Sequence, residues 1–125
     1  MLTKQRFVRE PIQFGSEIYV PINVDAIRVD STPPFDLYFR PGAEQPFVLY
    51  CEQNVTFSAD ARRRISMHRI DQLFIKQDSR ASYHRYLAEH IEHILGDKRL
   101  TPKEKSSILY DSAQAVVEQV LAEPS

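Results

Sequence analysis

Apolar and polar positions alternate through much of the first half of the chain and recur every three to four residues in the second. Glu17-Ile18-Tyr19-Val20-Pro21-Ile22 reads as a short strand, with Pro21 near its end because proline lacks a ladder donor. Phe35, Leu37 and Phe39 then alternate with Asp36, Tyr38 and Arg40, and Phe47-Val48-Leu49-Tyr50-Cys51 follows a turn-rich Pro41–Pro46 loop. This pattern predicts a β-hairpin over 35–40 and 47–51. Both faces of the second strand are apolar, which predicts a central place in the sheet. Asp71-Gln72-Leu73-Phe74-Ile75-Lys76 supplies a further strand.

Helical signals begin at Ser58, a good N-cap for a helix from Ala59, with Phe57 placed to staple its entry. That helix is expected to end near Arg69. Asn23 or Asp25 suits the cap of a single turn around Val24–Ile27, and Asp78 suits the cap of the next helix. Tyr83, Tyr86, Leu87, His90, Ile91, Ile94 and Leu95 follow an amphipathic rhythm that stops at Gly96. Thr101-Pro102-Lys103-Glu104 is the clearest local signal: a capping threonine, proline at the first helical position and glutamate closing the box. Ile108, Leu109, Ala113, Val116, Val117, Val120 and Leu121 form one apolar stripe ahead of Pro124. The short connection between these two helices predicts antiparallel pairing.

The fold class expected is therefore α+β: a small, mainly antiparallel sheet packed against helices, with a C-terminal helical hairpin over 79–122. Residues 1–16 lack sustained periodicity and read as an arm or an edge strand. Residues 17–122 read as one domain, consistent with a 125-residue chain.

Composition narrows the function classes. A net charge of −1 exerts no global pull on nucleic acid or anionic membrane. Cys51 is the sole cysteine, so neither an internal disulfide nor a thiolate zinc cluster can form within one chain. No stretch approaches the roughly 20 apolar residues of a membrane helix, and residues 1–7 lack the apolar core of a secretory signal. A cytoplasmic location without membrane association is expected.

Several elements together resemble a known module. These are the Phe35-Asp36-Leu37-Tyr38 strand, the Val48-Leu49-Tyr50 strand, the capped helix, Leu73-Phe74-Ile75, Asp78, Tyr83 and the Thr101-Pro102-Lys103-Glu104-Lys105 helix. Over roughly residues 17–122 the chain resembles the N-terminal accessory domain of HD-GYP phosphodiesterases in bacterial cyclic-di-GMP signalling. The resemblance implies a regulatory domain that works through protein–protein contacts with a phosphodiesterase domain, in the same chain or another. It leaves open a homodimer and a bound cyclic dinucleotide. It does not import catalysis, because HD-GYP chemistry needs a His-Asp dipeptide and a Gly-Tyr-Pro segment, and this sequence has neither. Relatives often carry glycine where the first helix turns into the Leu-Phe-Ile strand. Arg69 stands there, and a positive-φ turn would cost it roughly 1 kcal/mol or more.

The remaining chemistry is sparse. Arg62, Arg63 and Arg64, with His68 and Arg69, form the strongest basic cluster. Consecutive helical residues point about 100° apart, so Arg62 and Arg69, or Arg64 and His68, are the pairs able to share a face. Arginine forks there suit a phosphate, a cyclic dinucleotide or nucleic acid; the competing reading is a solvated helix surface. The candidate ligand-binding set is therefore Arg62, Arg64, His68 and Arg69. Glu89, His90, Glu92 and His93 offer only paired ligands per face, short of the three or four a metal site needs. Arg6 and Arg9, near Asp30-Ser31, lack the spacing and the glycine of PilZ receptors. No nucleophile–base pair is legible, so a non-enzyme without metal or cofactor is expected.

Overall fold

The computed structural model describes residues 10–70 and 72–122. Asp71, Arg6 and Arg9, together with most of the proposed arm, lie outside the described residues. The elements run β1 (Ile12–Phe14), β2 (Glu17–Ile22), β3 (Leu37–Phe39), β4 (Val48–Cys51), α1 (Ala59–Met67), β5 (Leu73–Lys76), α2 (Arg80–Glu89), α3 (Ile91–Leu95) and α4 (Pro102–Ala122). Single 3-10 turns at Val24–Ala26 and Gln77–Ser79 follow β2 and β5.

The five strands form one sheet in the order β1-β2-β5-β3-β4, and every pairing is antiparallel. A two-residue turn opening at Gly15, with φ 63°, joins β1 to β2. β1 is thus an edge strand. The centre belongs to β5, which pairs with β2 from Ile22↔Leu73 to Tyr19↔Lys76 and with β3 at Tyr38↔Phe74.

β4, expected to be central, is the other edge, and Val48 and Leu49 are 41% and 45% exposed. Two apolar faces on a strand do not fix its neighbours, and the buried three-residue run Leu73-Phe74-Ile75 takes the position instead.

Side chains of β5 divide between two cores. Leu73 and Ile75 join Ile22, Leu37, Phe35, Phe57, Ile65, Tyr83, Tyr86, Leu87, Ile94 and Ile108 on the helical side. Phe74 packs with Tyr19 and Tyr38 on the other face, where Ile12, Phe14 and Phe47 cover them. Phe47 stacks on Tyr19 with ring centroids 3.9 Å apart. Each large apolar side chain buried this way contributes about 1.5–3 kcal/mol.

The C-terminal helical hairpin is present, but its first helix breaks. At His90 (φ −109°, ψ 11°) the backbone N–H contacts the carbonyls of both Tyr86 and Leu87, and the ladder tightens. The His90 ring lies 4.4 Å from that of Tyr86. Asp78 does not cap α2. The chain leaves β5 directly into a 3-10 turn, which places Asp78 inside that turn, and Ser79 precedes α2 without a side-chain capping bond.

The stripe on α4 is only partly covered. Ile108 is buried, whereas Leu109, Val116, Val117 and Leu121 are exposed, as is Tyr110 beside the stripe. α4 is 21 residues long, about 31 Å at 1.5 Å per residue, and outruns the 10-residue α2 it packs against. No described helix is long and apolar enough to cross a membrane.

Candidate functional site: an arginine cleft beside the β2–β3 connection

The connection after β2 is anchored by several side-chain hydrogen bonds. The Asn23 Oδ1 accepts from the Asp25 N–H at 2.8 Å, so of the two expected caps Asn23 is the one used and Asp25 lies inside the 3-10 turn. The Arg28 N–H donates to the Tyr86 hydroxyl at 2.8 Å, and the Ser31 hydroxyl lies 2.6 Å from the same oxygen. Arg28 Nη1 donates to Asp97 Oδ2 at 3.0 Å, and Asn23 Nδ2 donates to Glu104 Oε2 at 3.0 Å. Asp25 accepts from Arg62 Nη2 on α1. Thus α1, α2, the α3–α4 loop and α4 all hold one short segment.

Asp97 is the ionic hub. Its carboxylate, 8% exposed, receives Arg28 together with Arg99 Nε, Nη2 and backbone N–H. Donors on three sides, the Arg99 side chain foremost, hold it well below the usual carboxylate range. Sequence reasoning missed Asp97, Arg28 and Arg99. The available signal was an Asp-x-Arg loop after a helix-ending glycine, which carries no periodicity.

Beside this anchor opens a cleft of about 450 Å³, lined by Val24, Asp25, Arg62, Ile65, Ser66, Arg69 and Ile70. Its wall is the C-terminal end of α1. Ser58 starts that helix by accepting from the Ala61 N–H at 3.0 Å, with Phe57 buried before it. The helix closes as a Schellman motif: the Arg69 N–H donates to the Ser66 carbonyl and the Ile70 N–H to the Ile65 carbonyl. Arg69 occupies the left-handed position with φ 52°, so the positive-φ turn weighed from sequence is adopted without glycine.

The four predicted site residues separate. Arg62 and Arg69 line the cleft together, but not by sharing a helical face: Arg69 lies past the end of α1, in the left-handed position. Arg64 turns to Asp60 at 3.6 Å, and His68 is an exposed C-cap outside the cleft. Arg63 also pairs with Asp60. Asp25 and Ser66 complete the polar lining and were not foreseen.

Arg62 is the buried member, with its side chain 14% exposed. Burial pushes its guanidinium pKa down, opposed by the Asp25 carboxylate. Its Nη1 is buried without a hydrogen-bond partner among the described residues. Arg69 is exposed at the rim, and no carboxylate among the described residues pairs with it.

Other candidates recede. No group of three His, Cys, Asp or Glu among the described residues is arranged to hold a metal. Cys51 is a half-buried free thiol on β4 whose pKa burial pushes up.

No family model matches the chain, and no curated protein matches it. Among solved structures, the fold is similar to that of Bd1817, a HDG"Y"P protein from Bdellovibrio bacteriovorus. The identity is 25% and the TM-score 0.52, over 85% of this chain and 34% of the other. The chain therefore spans about a third of that neighbour's length, and its α+β fold is similar to part of an HD-GYP-type protein.

Proposed function

We propose that this chain is a non-catalytic regulatory module of a bacterial cyclic-di-GMP phosphodiesterase system, and that it docks on an HD-GYP catalytic domain through α4. The observation that carries this reading is the uncovered apolar face of α4, formed by Leu109, Tyr110, Val116, Val117 and Leu121. From Leu109 to Leu121 this face runs about 18 Å along the helix. Between Ser106 and Val117 the only charged residue is Asp111, which is half-buried near His84 and Arg80. An apolar face of this extent with few charges marks a contact surface rather than a solvated one.

An HD-GYP domain suits this face because the similar HDG"Y"P protein matches this chain over only 34% of its own length and so has ample chain beyond the shared fold. Two further features support a non-catalytic role. The ionisable groups with strongly shifted pKa values, Asp97 and Tyr83, are spent on anchoring and burial. The sequence also lacks the His-Asp and Gly-Tyr-Pro segments.

Mechanistically, α4 is rooted at its N-terminus by Thr101, Glu104 and Asn23, and exposes Val116, Val117 and Leu121 toward its C-terminus. A displacement of the β2–β3 connection would thus reach the partner through one rigid helix. Calorimetric titration of an HD-GYP catalytic domain from the same genome tests the docking. Wild-type chain binds it, and Val117→Asp with Val116→Asp binds at least tenfold more weakly; equal affinities refute the reading.

A further inference from the structure

We infer that the cleft beside α1 is a binding site for a small organic anion, a carboxylate or phosphate joined to an apolar body, held between Arg62 and Arg69. Its volume of about 450 Å³ lies within the range of small-molecule sites. Half-buried Ile70 offers an apolar contact for the body above the nearly closed Val24 and Ile65, and Ser66 adds a hydroxyl for the head group.

The charge balance calls for an anion. Among the described residues, two arginines line the cleft against one carboxylate, Asp25, which is already engaged by Arg62. Arg62 also keeps a buried nitrogen with no acceptor among the described residues. That nitrogen is closed to solvent, so the cation an incoming anion meets first is the exposed Arg69 at the rim.

Arg69 supplies a separate observation. Its place in the Schellman motif is one where glycine fits without strain. The chain instead holds an arginine at φ 52°, with its side chain on the cleft. A stability cost retained at a cleft residue points to a use for that side chain. The site selects a small molecule over a nucleic-acid backbone, because Arg63 and Arg64 are drawn off to Asp60 and leave no extended basic track.

This inference does not depend on the role of α4, since its test uses the 125-residue chain alone. Phenyl phosphate, benzoate, neutral benzamide and a short oligonucleotide are titrated calorimetrically at low salt, beside thermal melts. At least one of the two aromatic anions is expected to bind saturably, and benzamide at least tenfold more weakly. Arg69→Gly is expected to lose at least tenfold in anion affinity while melting higher than wild type, so that misfolding cannot explain the loss. Arg64→Ala should bind as wild type. Unchanged anion binding by Arg69→Gly, no binding of either anion, or preferential oligonucleotide binding that requires Arg64 overturns the proposal.

Discussion

Glu104 Oε2 accepts a hydrogen bond from Asn23 Nδ2 at 3.0 Å, while Glu104 Oε1 accepts from the Thr101 N–H at 2.9 Å. One carboxylate thereby closes the capping box of α4 and fastens the β2–β3 connection, 81 residues away in the chain. Asn23 cannot reverse its amide to suit a different partner, because its oxygen already caps the 3-10 turn. Glu104→Ala should cost about 1–2 kcal/mol of stability, and Asn23→Ala a similar amount. A double-mutant cycle by urea denaturation should return a coupling energy of at least about 0.5 kcal/mol, and strict additivity would separate the two roles.

Acid should weaken the fold through Glu104 and Asp97. Backbone and Asn23 donors hold the Glu104 pKa below its ordinary 4.5, and Arg99 and Arg28 hold Asp97 below 3.8. Both folded-state values are depressed, so the unfolded chain binds more protons and stability rises with pH across this range. Their contribution is present above about pH 5 and is lost as pH falls through the folded values. Asp97→Asn should cost about 2 kcal/mol at neutral pH and flatten the acid limb of stability against pH, measured by denaturation at several pH values.

Arg69 should be a stability-raising position. Arg69→Gly relieves a left-handed L-residue and is expected to gain about 1 kcal/mol in chemical denaturation. Arg69→Ala keeps the Cβ and should change stability by less than about half of that. If both variants behave alike, the strain at φ 52° is not what sets the stability here.

How much of this was legible in the sequence depended on distance along the chain. The box formed by Thr101 and Glu104, the cap at Ser58 and the cap at Asn23 each join residues two or three apart, and their geometry follows from local chemistry alone. Arg62 and Arg69 were expected together for a reason the structure replaces: Arg69 reaches the cleft from the turn that ends α1, not from its face. The edge position of β4 was not, because strand order is fixed by pairings such as Tyr38↔Phe74 and Ile22↔Leu73 between distant segments. Nor could the stripe on α4 reveal its own exposure: periodicity marks which side is apolar, while the length of the neighbouring α2 decides how far it is covered. Asp97 stayed hidden because its partner Arg28 is 69 residues away.

A charge on the exposed apolar face of α4 should leave the fold intact. Val117 is 48% exposed, so Val117→Asp should shift stability by no more than about 0.5 kcal/mol, with an unchanged thermal melt as the check.

The most direct measurement is the rate of cyclic-di-GMP hydrolysis by an HD-GYP phosphodiesterase from the same genome, with wild-type chain or the doubly substituted Val116→Asp, Val117→Asp chain added in excess. The wild-type chain should change that rate at least several-fold, hydrolyse nothing by itself, and lose its influence on substitution. A rate indifferent to the wild-type chain, or turnover by the chain alone, would contradict the account.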